Sequence, residues 1–280
     1  FFIHIFYYVK LKWDKLLFFD IFRFFTTKVR YLGGVKQWKY EPSIKTTDQI
    51  WNNFKNILEE NNRDKLDEPL SEGEFAQVKR IITNLKTPYE AGQFLYGLNG
   101  VSQVEVDLDS GKHVYLTVFD QAQIGAGNTR YQVVNQIERN AVIPGYPDRR
   151  FDTTLLINGL PIIQIEEKSD YHDVDEALNQ MHRYIHEQQY GDIFSTLQIL
   201  VGMTPHDAKY MARTTDEMFN KTFAFQWQRK EDNTPVLDWH EFTASMLSIP
   251  MAHQMATNYM ILDGTPRKQM IKVMLPYQVY

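Results

Sequence analysis

The 280-residue chain contains no cysteine. Disulfide bridges and thiolate metal sites are therefore excluded, and stability must come from packing and hydrogen bonding. Positive charge is not in excess: 30 Lys and Arg stand against 35 Asp and Glu, a formal net charge of −5. Polyanions are held largely by Lys and Arg that neutralise their phosphates, so long-range attraction of such a ligand is weak here. Long apolar runs are missing too. Residues 1–34 form an atypical aromatic N-terminal segment with eight of the eighteen Phe, but Lys10, Lys12, Asp14, Lys15, Asp20 and Arg23 interrupt it. That excludes a membrane-spanning helix of about 20 apolar residues there, and the pattern of a signal peptide is absent. Gly125-x-Gly127 lacks the third Gly or the Lys of a phosphate loop and reads as an ordinary turn. With no Walker A sequence present, the chain by itself is not expected to hydrolyse ATP.

What remains is a globular pattern long enough to bury a full core. Gln37–Lys45 reads as a short extended piece. Ile50, Trp51, Phe54, Ile57 and Leu58 recur at helical spacing over Thr47–Glu60. Ser71-Glu72-Gly73-Glu74 is a capping box for a second helix, and Pro88 begins a short third. Strands are predicted at Val101–Leu108, His113–Phe119 and Tyr131–Glu138. An apolar hairpin follows, then a helix over about Val174–Gln188. Strands come next at Leu197–Met203, Ala208–Arg213 and Phe223–Gln228, and a helical tail at Asp238–Met260. This order predicts an α/β fold, a mixed β-sheet flanked by helices.

The hairpin carries the chemistry. It runs from Arg149 to Lys168, and Asn158-Gly159 at its centre is a strong two-residue turn signal. Asp152 opens the first apolar run; Glu166, Glu167 and Lys168 close the second. Two carboxylates at one point repel unless a cation neutralises them, and a hard divalent ion such as Mg²⁺ prefers oxygen ligands. Lys168 would then face an anion or a water. That inventory suits phosphodiester hydrolysis. A strand-end salt bridge between Lys168 and Asp152 or Glu166 is the plainer alternative.

Strand side chains alternate with period 2, so Gln164, Glu166 and Lys168 share a face and Glu167 points away. Asp152 must lie on the Glu166 face. A plain two-residue loop pairs Ile157 with Leu160 and sets Asp152 opposite Ile165, on the wrong face. The site therefore requires a β-bulge or an odd loop in this hairpin. Asp148, in the Gly145-Tyr146-Pro147 turn, is better suited to capping a loop. On the next helix, Val174, Ala177, Leu178, Met181 and Ile185 form the apolar stripe, with Gln180 and Tyr184 on one edge. His182 and His186 have metal-ligand spacing but read as a solvated face.

Asp152, the Glu166-x-Lys168 end of the hairpin, and Gln180-x-x-x-Tyr184 together resemble the PD-(D/E)xK nuclease superfamily in its RecB-like branch. The text around Leu156–Pro161, Gln164–Glu166 and Asn179–Tyr184 is similar to the N-terminal endonuclease region of the type I restriction R (HsdR) subunit, and Leu275-Pro276-Tyr277-Gln278 resembles the segment that introduces its helicase motor. The resemblance covers about Val35 to Tyr280.

It implies a restriction-endonuclease-like core and cleavage of double-stranded DNA after ATP-driven translocation. Asp152, Glu166 and Lys168 would be catalytic. Mg²⁺, or Mn²⁺ in its place, would be held by Asp152, Glu166 and the backbone carbonyl of Glu167. Gln180, Tyr184, Arg149 and Arg150 would position DNA or support the site, and Gln278 would be a weak nucleotide contact, ATP belonging to the full-length subunit. Residues 35–260 would be the endonuclease domain and 261–280 a linker toward a motor in the same polypeptide. Methyltransferase and specificity subunits would be partners in the cytoplasm. A RecB-like nuclease of another defence or repair system, or a non-cleaving nuclease-fold interaction module, are the alternatives.

Overall fold

The computed structural model describes residues 36–265 and 268–280; the aromatic N-terminal segment lies outside the described residues. Strand β1 (Lys39–Tyr40) leads into helix α1 (Thr47–Asn61), whose Ile50, Trp51, Phe54, Ile57 and Leu58 are buried, as their spacing predicts. Helix α2 (Glu72–Thr83) begins with the expected capping box. Ser71 accepts from the Glu74 N–H, and the Glu74 carboxylate accepts from the Ser71 N–H. Helix α3 (Pro88–Tyr96) follows. Strands β2 (Val101–Asp107) and β3 (His113–Asp120) pair as a separate antiparallel sheet.

The main sheet has seven strands. β1, β4 (Tyr131–Arg139), β5 (Arg149–Ile157), β6 (Leu160–Glu167), β7 (Ile199–Thr204), β8 (Asp207–Ala212) and β9 (Phe225–Gln226) hydrogen-bond in that order. The β1–β4 and β6–β7 pairs are parallel and the rest antiparallel. This is the mixed sheet that the sequence predicts. A parallel pair needs a crossover, and α4 (Val174–His186) supplies it between β6 and β7, packed on both. Every residue of β6 before Glu167 is buried, the signature of a strand covered on both faces.

The β5–β6 turn is tied down. Asn158 and Gly159 have φ of 50° and 83°, as a type I′ turn requires. The Asn158 side chain accepts from Arg130 N at 2.8 Å and donates to Val118 O at 2.8 Å. A Cβ on Gly159 would lie 2.7 Å from the Phe54 Cα, so only glycine lets α1 sit over the turn.

The tail departs from the sequence reading. Two short helices, α5 (Trp239–Ser245) and α6 (Met251–Ala256), replace one continuous helix and flank Pro250, which cannot continue a helix interior. Residues 260–273, read as the end of that tail and the start of a linker, form a hairpin of β10 (Met260–Thr265) and β11 (Lys268–Val273) packed on α3, with Ile271 and Val273 buried. Its apolar residues are diluted by Asp263, Lys268, Gln269 and Lys272, which hides the strand pattern in sequence. A last short helix is α7 (Pro276–Val279). No helix among the described residues is long and apolar enough to cross a membrane.

His253 of α6 is buried, and its Nδ1 meets the Tyr131 hydroxyl at 2.8 Å. That hydroxyl accepts from the Gly125 N–H, so its own proton points to a neutral imidazole. Burial pushes the His253 pKa down from 6.5 to about 4. Its contribution to stability is full above pH 6.5 and lost as pH falls toward 4. The stability of wild type relative to His253→Gln, from urea unfolding, should fall by this loss between pH 7 and pH 4, up to roughly 3 kcal/mol at 1.36 kcal/mol per unit.

Candidate active site

Down the β5–β6 ladder, Ile157 pairs with Leu160 and Leu156 with Pro161, but Leu155 pairs with Ile163. Ile162 is an extra residue, the bulge that the sequence analysis requires. Past it Thr154 pairs with Gln164 and Thr153 with Ile165, so Asp152 falls level with Glu166. The Asp152 N–H lies 3.5 Å from Glu166 Oε1, and the Glu167 N–H donates to Asp152 Oδ2 at 3.1 Å.

Glu166 is wholly buried. Its Oε1 accepts from Gln164 Nε2 at 3.1 Å and its Oε2 from Gln180 Nε2 at 2.7 Å. The Lys168 ammonium donates to Gln180 Oε1 at 2.5 Å, and Gln180 Nε2 also reaches the Tyr184 hydroxyl at 2.6 Å. Gln180 therefore bridges carboxylate and ammonium. Among the described residues no ion pair joins Lys168 to Asp152 or Glu166, so the simple strand-end salt bridge is not what forms. Glu167 turns to the other face and accepts from Thr153 Oγ1 at 2.8 Å. Gly202 of β7 is level with Glu166; a Cβ there would lie 3.1 Å from the Val174 carbonyl. The bare glycine lets α4 approach closely enough for Gln180 to reach the carboxylate.

The acids carry an electrostatic cost. Burial, then the Asp152 charge, holds the Glu166 pKa well above the ordinary carboxylate value, against a smaller opposing effect of Lys168. Burial and Asp152 also push Glu167 up to about 8. Two acids made reluctant to ionise beside a third are a site short of positive charge.

Helix α4 buries Val174, Ala177, Leu178, Met181 and Tyr184. Tyr184, not Ile185, completes the buried face, because the bridge to Gln180 draws it under the site. Its ring packs 5.0 Å from Phe151, which also meets Tyr190 and Phe194. Buried Tyr184 is out of reach of a DNA backbone, and its hydroxyl meets Gln180. Arg149 forms a two-pronged ion pair with Glu187, itself buried. Its guanidinium is committed to support. Arg150 is exposed, as is Arg183, and Arg183 lines a cleft with Lys168, His172, Asn179 and Gln180.

Other sequence candidates lie elsewhere. Asp148 caps its loop by accepting from the Ala141 N–H at 2.8 Å. His182 and His186 both bond Asp216, at 2.9 and 2.8 Å. Gln278 Oε1 accepts from the Leu275 N–H at 2.9 Å, a local cap in α7. Two contributors escape sequence reading: Glu187, the partner of Arg149, and Gln136 of β4, whose Nε2 lies 3.3 Å from Asp152 Oδ1. The only signal for Gln136 is a polar Asn135-Gln136 pair inside an apolar strand.

Among the described residues no three His, Asp or Glu side chains cluster as a metal-binding set. The site offers two neighbouring carboxylates, Asp152 and Glu166. That set suits a hard cation which keeps several waters.

A family model described as the N terminus of type I restriction enzyme R proteins matches residues 27–219. The chain belongs to this family. It is 31% identical over 258 residues to a type I restriction enzyme endonuclease subunit of Staphylococcus saprophyticus, covering 91% of this chain and 26% of that protein. A Staphylococcus aureus endonuclease subunit is 30% identical over 251 residues, covering 89% of this chain and 25% of the relative. The EcoprrI endonuclease subunit of Escherichia coli is 33% identical over 174 residues, 61% of this chain and 52% of that protein. The chain spans about a quarter of the length of the staphylococcal relatives. In this R-protein N-terminal region, Asp152, Glu166, Lys168, Gln180 and Tyr184 stand together in one place.

A carboxyl whose folded pKa exceeds its unfolded value binds protons more tightly when folded. The stabilisation from Glu167 is thus full below about pH 4.5 and is lost as pH rises toward 8, and that from Glu166 is lost in the same direction. Without divalent metal, urea unfolding should show stability falling between about pH 6.5 and pH 8, above the window in which His253 titrates. Glu166→Gln should flatten that fall and stabilise the protein at pH 8.

Proposed function

We propose that this chain holds the Mg²⁺-dependent nuclease centre of a type I restriction R subunit and cleaves double-stranded DNA. The observation that carries the reading is the register shift at Ile162, which brings Asp152 and Glu166 to one face beside Lys168, in a chain whose relatives are named endonuclease subunits. Asp152, Glu166 and the Glu167 carbonyl would hold the cation; Mn²⁺ would serve in its place. When bound, the ion polarises the scissile phosphate and lowers the pKa of a water.

The protein's own groups do the rest. Lys168, aimed by Gln180, stabilises negative charge that develops on the phosphate. Gln180 also fixes Glu166, and Tyr184 fixes Gln180. Arg149 and Glu187 brace the floor, while Arg150 and Arg183 meet backbone phosphates. ATP-driven translocation would come from a motor further along the same polypeptide, and target choice from specificity and methyltransferase subunits in the cytoplasm. A non-cleaving module fits less well, because nothing in such a role offsets burying Glu166 beside Asp152.

Asp152→Ala, Glu166→Ala and Lys168→Ala should each abolish cleavage in the assembled enzyme while circular dichroism stays native. Glu167→Ala should keep substantial cleavage; loss there with survival of Glu166→Ala would reverse the assigned faces. Gln180→Ala and Tyr184→Ala should slow cleavage about 10–100-fold, the usual effect of removing groups that orient a metal's ligands, and calorimetry should still detect Mn²⁺ binding.

The chain's negative charge and paired Arg149 leave few free cations for DNA. Fluorescence titration of the isolated chain with duplex should give weak binding without sequence preference, near 10⁻⁴ M at physiological salt, roughly the weak end of non-specific binding. Tight binding to one duplex over scrambled controls would contradict a separate specificity subunit.

A further inference from the structure

Gln136 sits inside β4 with φ of 53°, a left-handed backbone that is uncommon outside Gly, Asn, Asp and His. It occurs where β4 comes level with Asp152. The ladder pairs Asn135 with Thr153 and Ile137 with Phe151 but forgoes the pair between. A strained residue of this kind persists only where its surroundings over-determine it. They do so here. The Lys45 ammonium donates to the Asn135 carbonyl at 2.8 Å and also to its side-chain oxygen. Tyr40 donates to that same side-chain oxygen at 3.2 Å. On the far side of the kink, the Glu138 N–H is bound by the Lys45 carbonyl at 2.8 Å. The backbone is therefore gripped before and after Gln136 by one segment, and the side chain is turned onto the acid.

Asp152 then has one donor on each oxygen: Gln136 Nε2 on Oδ1 at 3.3 Å and the Glu167 N–H on Oδ2 at 3.1 Å. Both donors are neutral. They hold the carboxylate's orientation without cancelling its charge, which a lysine or arginine would do.

We propose that Gln136 is a positioning residue for Asp152: the Lys45–Asn135 clamp keeps β4 in its left-handed kink so that the Gln136 amide presets the Asp152 carboxylate for a divalent cation. This rests on the metal reading above and assigns a duty to a residue outside the Asp, Glu, Lys, Gln and Tyr set. The kink and the amide are separable by substitution. Glycine adopts positive φ freely, so Gln136→Gly keeps the kink and deletes the amide, whereas Gln136→Ala deletes the amide and keeps the strain.

The test uses the full-length subunit with Mn²⁺ alone as probe. Calorimetry follows the binding event that Asp152→Ala removes, and thermal melting is measured without metal. Gln136→Gly should melt above wild type yet bind Mn²⁺ about 10–100-fold more weakly, the range typical for groups that orient metal ligands. Gln136→Ala should bind as weakly. A gain in stability with a loss of affinity cannot come from damage to the fold. If Asp152→Ala loses the Mn²⁺ event while both Gln136 variants bind like wild type, this inference is overturned and the metal reading stands. Wild type that shows no Asp152-dependent Mn²⁺ event overturns both.

Discussion

Ile162 is the extra residue in the β5–β6 ladder, and the direction of every side chain beyond it depends on that one step. Before the bulge the turn obeys simple two-residue geometry; after it, Asp152 comes level with Glu166. Remove the step and Asp152 faces Ile165, one acid in each layer of the molecule. The bulge is in turn fixed from the tip. Asn158 is bonded to Arg130 and Val118, and Gly159 is pressed against α1, so the ladder cannot slip to a bulge-free register without losing those contacts. A local backbone irregularity thus sets the charge geometry of the whole site.

That geometry is costly, and the surrounding groups show how the fold tolerates it. Glu166 is buried beside another acid, and its two oxygens are met by amides from Gln164 and Gln180. Amides supply hydrogen bonds without charge, so the acids remain under-neutralised. A bidentate arginine in place of Gln180 would stabilise the empty fold and compete with any cation. The molecule does use that solution 38 residues from Arg149, at Glu187, where the pair braces the floor. Arg149–Glu187 is thus a neutralised pair, whereas Gln180–Glu166 leaves its carboxyl without a cation.

Much of this was legible in the sequence. Helical spacing in Thr47–Glu60, the Ser71 capping box and the Asn158-Gly159 turn each have local causes, and each forms as read. Period-2 alternation assigned Glu166 and Glu167 to opposite faces and demanded a bulge, but could not say that Ile162 would carry it, since that depends on how the turn packs on α1. Non-local partners were hidden. Arg149 gives no sign of being neutralised by Glu187, and Tyr184 none of being drawn under the sheet in place of Ile185. The β10–β11 hairpin escaped because its alternation is diluted by charge and its packing partner, α3, lies far away in sequence. Gln136 was invisible for a deeper reason. Its conformation is imposed against its own propensity by Lys45 and Asn135.

These corrections change how a negatively charged chain can act on a polyanion. With Arg149 paired, the unpaired cations near the acids are few, and Lys168 is itself turned toward Gln180. On the proposed nuclease reading, a centre built this way would have little power to attract DNA, since cations near it are few and burial beside Asp152 leaves Glu166 reluctant to ionise. A divalent cation, if bound there, would favour ionisation of both acids and make the local field positive. Metal and phosphate would then each favour the other's binding. The cation would relieve carboxylate repulsion, and Asp152 and Glu166 would hold it where a phosphate could meet it. On that reading such a site would be quiet on free DNA and act when duplex is delivered to it. Weak affinity is in that sense part of the chemistry rather than a defect of it.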